Sequence, residues 1–269
     1  MAKFVQCIRE DNKCDYPENI YAIKNAGFDG AYVEWCNRPH DFTQEEQLAL
    51  CRELDLEVPF VHLGYSGINK LWVGGKEGEL LTDGFINDLD ICSGNGVPMV
   101  VMHLTAHSVA PPPSLIGVAR LKRIVEHAEE LGMKVAFENT KIPGYLEFVF
   151  DYIKNKNAGI CYDSGHAHCH FEDKFDWARF KDKIFAVHLH DNNGFADQHL
   201  LPFDGTIDWN DLAKNLVRAN YNGPVTLESC YFGPYLNMNI EEFCSLSLSR
   251  AREFSAMMDR ERGEHTLVD

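Results

Sequence analysis

Six short apolar runs in this chain each end in a side chain that can bind a metal. They are VPFVH at His62, PMVVMH at His103, KVAFE at Glu138, NAGICYD at Asp163, KIFAVH at His188 and PVTLE at Glu228. Short continuous apolar runs of this kind are expected to be buried parallel strands. A buried strand gains nothing by ending in an unpaired imidazole or carboxylate, which is costly to remove from water. Six such endings in order therefore point to a shared purpose. If the strands are neighbours in one barrel, the six side chains converge on one spot, and a spot furnished with His, Asp and Glu reads as a metal site.

The rest of the chain supplies the barrel. Strand candidates fall at 3–8, 30–35, 58–63, 98–104, 133–138, 158–163, 184–190 and 224–229. Segments with helical spacing lie between them, near 17–26, 43–54, 79–94, 114–131, 144–155, 173–181 and 208–219, and 240–258 follows the last strand. Pro17-Glu18, Thr43 with Glu46, Ser114 after a run of three prolines, and Asp208 before Trp209 mark helix starts. Gly27, Gly132 and Asn222-Gly223 mark helix ends. Eight βα units in order predict a (β/α)8 TIM barrel occupying residues 1–269 as one domain, with catalytic residues at the C-terminal ends of the strands.

Charge narrows the partners. With 41 acidic residues against 25 Lys and Arg, the formal charge is −16. That is the wrong sign for a nucleic-acid binder, which needs a basic footprint. No run is apolar enough for a signal peptide or membrane span, so no membrane partner is expected. The nine cysteines include no CxxC pair, which fits reduced thiols in the cytoplasm.

Nine of the twelve histidines fall near predicted strand ends, and only His40, His127 and His265 lie clearly outside. Two loops are dense in ligand types: DSGHAHCH after strand 6, and the loop from His188 to Trp209 that carries Asp197-x-His199. Asp197 and His199 can ligate, or can simply fix that loop. His62 and His103 can ligate or orient substrate. His107, His168, His170 and His190 are expected in supporting roles, with Asp191 a candidate to orient a ligating imidazole. Glu34 is expected to touch substrate or to pair with a nearby base. Trp35, Tyr65, Trp72 and Phe232 are candidate sugar-stacking walls or ordinary packing.

The pieces GFDGAYVEW, AFENT, CYDSGHAH, VHLHDNNG, DQHLLPFDGTIDW and GPVTLES together resemble the xylose isomerase-like barrel superfamily, which includes sugar isomerases, ketose 3-epimerases and endonuclease IV. The resemblance to the epimerase branch implies one divalent ion held by Glu138, Asp163, His188 and Glu228, with His166 contacting substrate. It further implies that Glu138 and Glu228 exchange protons with the carbon beside a carbonyl. The physics agrees, because a divalent cation lowers the cost of an enediolate and two carboxylates can serve as base and acid. Substrate contacts are then expected from His166, His62, His103, Glu34 and Trp35. The alternative is a trinuclear zinc phosphoesterase resembling endonuclease IV, with His62, His103, His166, Asp197 and His199 available for additional ions. The leading expectation is a sugar or polyol isomerase or epimerase using Mn, Mg, Co or Zn, with homo-oligomerisation left open.

Overall fold

A computed structural model describes residues 2–9, 13–35, 42–171 and 175–265. Strands and helices alternate through the chain: β1 (Phe4–Ile8), α1 (Tyr16–Ala26), β2 (Gly30–Trp35), α2 (Gln44–Glu53), β3 (Val61–Leu63), α3 (Lys76–Gly94), β4 (Met99–His103) and α4 (Leu115–Glu130). There follow β5 (Lys134–Glu138), α5 (Tyr145–Tyr152), β6 (Ala158–Asp163), α6 (Ser164–His170), β7 (Ile184–His188), α7 (Trp209–Arg218), β8 (Val225–Leu227) and α8 (Ile240–His265). All named strand pairs are parallel, β1 through β7 pair in sequence order, and β8 lies on the far side of β1. The ring closes between β7 and β8 through the parallel bridge Leu189↔Leu227, with Leu189 N–H donating to Thr226 O at 3.0 Å and Glu228 N–H to Leu189 O at 3.0 Å. The expected (β/α)8 barrel is the observed fold.

Alternation along each strand sorts the apolar residues into two cores. Val5, Cys7, Tyr32, Phe60, Met99, Val101, Ala136, Cys161 and Ala186 fill the barrel. Ile8, Val33, Val100, Phe137, Ile160 and Val187 face outward into the larger core under the helices. The same alternation continues to the mouth. His103, Glu138, Asp163 and His188 are the last residues of β4 to β7 and follow the inward series of their strands.

The helix starts obey the expected chemistry. Thr43 and Glu46 form a reciprocal capping box, Ser114 accepts from Gly117 N–H, and Asp208 accepts from Asn210 and Asp211 N–H. Gly27 ends α1 at φ 93°, a left-handed conformation that a side chain resists.

Three expectations are corrected. The helix expected over 173–181 is absent among the described residues there, and 177–182 run as turns. Instead a short helix, α6, starts at Ser164, because the Asp163 carboxylate caps it by accepting His166 N–H at 2.6 Å. The histidine-rich segment after β6 is therefore a helix rather than a loop. Helix α7 also ends before Asn222-Gly223; the residue with left-handed φ is Asn220, at 62°. Cys36 and His40 lie outside the described residues. The described cysteines are free thiols, and among the described residues no helix is long and apolar enough to cross a membrane.

Candidate metal centre

His188 is the hub of the barrel mouth. Its side chain is 0% exposed, and its Nδ1 lies 3.3 Å from Glu138 Oε2, 3.4 Å from Glu228 Oε1 and 3.9 Å from Asp163 Oδ2. Neither of its ring nitrogens makes a directed hydrogen bond. Three buried carboxylates thus surround one buried imidazole whose nitrogens have no settled partner. Such a group is expensive unless a cation completes it. The four residues proposed as a ligand set from sequence come together around His188.

Five further histidines, His62, His103, His166, His190 and His199, stand around these carboxylates and Asp197. His62 Nε2 lies 3.1 Å from Glu138 Oε2, His103 Nε2 3.4 Å from Glu138 Oε1, and His166 Nδ1 2.9 Å from that oxygen. On the other flank His166 Nε2 stands 3.2 Å from Asp197 Oδ2, and His199 Nε2 3.5 Å from Asp197 Oδ1. His62 with His103 and Glu138, Glu138 with Asp163 and His166, and His190 with His199 and Glu228 each bring three ligand atoms within 4.8 Å of one another. The donor chemistry, imidazole nitrogen and carboxylate oxygen, suits Zn, Co or Mn. The residues present therefore fit a divalent ion and extend to more than one.

Proton equilibria carry the same message. Burial pushes the His62 imidazolium down, but the hydrogen bond to Glu138 and the surrounding carboxylates outweigh it and hold the group up at about 9. His190 follows the same logic beside Asp163 and reaches about 9. His103 goes the other way, because burial wins and lowers it. Burial disfavours the Glu138 carboxylate, yet His103 and His188 hold it well below the usual range. Glu228 is likewise lowered against burial by His188 and Arg9. Around His62 and His190 the carboxylates thus favour positive charge, the same sign that a cation would supply.

The supporting framework ties strand ends together. The Asn139 side-chain amide donates to Asp163 O at 2.9 Å and its oxygen accepts Asp163 N–H at 2.7 Å, locking β5 to β6 at the ligands. Ser164 Oγ donates to His190 O at 2.7 Å and accepts His190 N–H at 3.0 Å. His190 packs so closely on Gly165 that a Cβ there would lie 1.9 Å from its Cε1. His190 was expected only to support the site, yet its Nε2 is 3.1 Å from both oxygens of Asp163.

Asp191 does not orient an imidazole. Its buried carboxylate accepts Asn192 N–H (2.8 Å), Phe203 N–H (3.1 Å), Ile207 N–H (3.2 Å) and the Trp209 indole N–H (2.8 Å), which folds the 188–209 loop. Asp191→Ala would strand these donors at roughly 1 kcal/mol or more each. We expect it to destabilise the protein by at least about 3 kcal/mol, read as a lowered midpoint in urea; a change under about 1 kcal/mol would reject this role.

Trp35 is also corrected. It shares the outward parity of Val33, lies in the core beneath the helices, and bonds Asp88. The expected substrate contact faces the wrong side of the sheet. Trp72 is structural as well, its indole donating to Leu104 O at 2.7 Å. Glu34 and Tyr65 do line the mouth, a cavity of about 170 Å3, and Tyr65 stacks on His103 with ring centres 4.3 Å apart. Thr105, Thr140 and Lys141 add polar groups to the cavity wall.

Arg9 was missed entirely. It follows β1, and its Nη1 lies 3.1 Å from Glu228 Oε1 and 3.3 Å from Glu34 Oε1. Glu34 therefore does pair with a base, and the signal was present in the inward series Val5, Cys7, Arg9.

The buried carboxylates and imidazoles thus gather at the C-terminal mouth of a parallel barrel, the face where barrels of this kind carry their active sites. The chain belongs to the xylose isomerase-like TIM barrel family, whose sequence model matches residues 20–242. It is 31% identical over 157 residues, 53% of its own length, to the uncharacterized protein y4fM of Sinorhizobium fredii. It spans about half the length of the curated relatives it matches, 50% in that case. Among solved structures, an L-ribulose 3-epimerase superposes with a TM-score of 0.77 at 16% identity, covering 100% of this chain and 98% of that one. The IolI protein with a zinc atom superposes with a TM-score of 0.72 at 16% identity, covering 96% and 99%. At these identities the likeness is one of fold.

Proposed function

We propose that this chain is a divalent-metal-dependent isomerase or epimerase of a sugar or polyol, with Glu138 and Glu228 as its acid/base pair. The observation that carries the reading is the approach of three buried carboxylates, Glu138, Asp163 and Glu228, to within 4 Å of one buried imidazole, His188. These four residues would hold the ion. When bound, a divalent ion polarises the oxygens of a carbonyl and its neighbouring hydroxyl, so that the adjacent C–H becomes acidic. Glu138 and Glu228 both approach His188 Nδ1, at 3.3 and 3.4 Å, and would serve as the groups that remove a proton and return one. Thr105, Thr140 and His107 line the same cavity and can hydrogen-bond hydroxyls, while Tyr65 offers an apolar face to C–H groups. The epimerase and the zinc-bearing protein of the same fold support this reading. The free thiols fit a cytoplasmic setting.

A second reading rests on its own observation. Asp197 bridges His166 and His199 at 3.2 and 3.5 Å, and Glu138 is approached by His62 and His103. That arrangement can hold further ions, as a multinuclear zinc phosphoesterase would require. The deciding experiment is metal content by elemental analysis of untagged protein prepared without chelator. About one Mn, Co or Mg per chain, with turnover of a ketose, is the expected result. Two or three zinc ions per chain, with cleavage of DNA at abasic sites and no sugar turnover, would replace the first reading by the second.

A further inference from the structure

We propose that Arg9 and Tyr32 are positioning residues that hold Glu228 by one oxygen and thereby decide which oxygen it presents to a metal ion. This rests on the reading of Glu228 as a ligand. Tyr32 OH donates to Glu228 Oε1 at 2.9 Å, and Arg9 Nη1 stands 3.1 Å from that same oxygen. Arg9 Nη1 also reaches Glu34 Oε1 at 3.3 Å. One guanidinium nitrogen carries two hydrogens, so it can serve two carboxylates only in a narrow range of orientations. Glu34 thus anchors Arg9, and Arg9 anchors Glu228.

The three side chains sit where they cannot easily drift. The Arg9 side chain is 11% exposed and that of Glu228 4%. Tyr32 is fully buried, stacked on His188 with ring centres 5.2 Å apart and interplanar angle 7°. The other oxygen, Oε2, faces a different group: His190 Nε2 and His199 Nδ1, each at 3.7 Å. Oε1 also stands 3.4 Å from His188 Nδ1, so the phenol and the guanidinium hold that oxygen beside the hub imidazole while Oε2 faces His190 and His199. A flexible carboxylate could bind an ion through either oxygen or both. One held by a phenol and a guanidinium has that choice removed.

The two ways Arg9 could act on a cation have opposite signs. As a bare positive charge it would repel the ion, and its loss would tighten binding. As a positioning group it preorganises a ligand, and its loss would weaken binding by about 10- to 100-fold, the usual effect of removing a ligand's orienting partner. Titration of the metal-free protein with Co2+ separates these, because the visible bands of bound Co2+ report coordination geometry as well as occupancy. We expect Arg9→Met to bind Co2+ about 10- to 100-fold more weakly than the wild type, with altered bands. Arg9→Lys should recover part of the affinity. Tyr32→Phe keeps the ring on His188 and loses only the hydroxyl, so it tests the same oxygen if Arg9→Met does not fold; it should shift the bands in the same direction. Unchanged or tighter binding with unchanged bands, in folded Arg9→Met or in Tyr32→Phe, overturns the proposal. Failure of the wild type itself to bind Co2+ overturns the metal-centre reading beneath it, and the two failures are told apart by that control.

Discussion

Glu138→Gln is expected to leave the barrel folded and to lower turnover by about 10²- to 10⁴-fold, the range for loss of a positioned acid or base. Gln keeps the volume and one acceptor oxygen for the imidazoles that crowd this side chain, among them His62 at 3.1 Å and His166 at 2.9 Å. What it loses is the charge that accepts a proton and draws the ion. Glu228→Gln should behave alike, since Tyr32 OH can still donate to its amide oxygen. The assay is incorporation of solvent deuterium at the carbon beside the carbonyl in a panel of ketoses, with circular dichroism confirming the fold. Wild-type exchange rates in folded Glu138→Gln would sink the acid/base assignment.

The second large effect is on the metal and its dependence on pH. In the metal-free chain His62 and His190 are raised to about 9, above the ordinary imidazole value. Groups raised on folding contribute stability that is fully present below the unfolded value of about 6.5 and is lost as pH rises through the folded value. The apo protein should therefore lose stability between about pH 6.5 and 9. A divalent ion acts in the opposite sense, because it binds deprotonated ligands and displaces those protons. At about 1,000 times its Kd an ion contributes about 4 kcal/mol. For a chain of this size that is roughly 10 °C in Tm, at ~2–4 °C per kcal/mol. We expect the difference in Tm between metal-loaded and EDTA-treated protein to be several degrees larger at pH 8.5 than at pH 6. Equal differences at both values would mean that no imidazole proton is exchanged for the ion.

Much of this site is legible in the amino-acid sequence. The six strand-end residues are readable because parallel strands feed their last side chains to one rim, and the chain offers a ligand type at each. His166, Asp197 and His199 stood out through their density in two loops, and all three reach the cluster. Two of the misses turn on strand parity and one on a loop. Trp35 was placed by its nearness to a strand end, but strand parity sends Glu34 inward and Trp35 outward. Arg9 is not a ligand type and gives no signal by residue class, although its parity with Val5 and Cys7 leads to the mouth. Asp191 looked like a partner for histidine, and instead collects four N–H groups from its own loop.

By itself, then, the order of apolar runs and amphipathic segments determined a parallel barrel, since period and spacing are local properties that survive without coordinates. The residue type at each strand end determined that the mouth would gather carboxylates and imidazoles. Only the tertiary structure decided which oxygen faces which nitrogen, because a contact such as Tyr32 with Glu228 joins residues 196 positions apart. It also decided that the segment after Asp163 would coil at once into a helix, since that outcome depends on a single side-chain cap competing with the helical spacing further along.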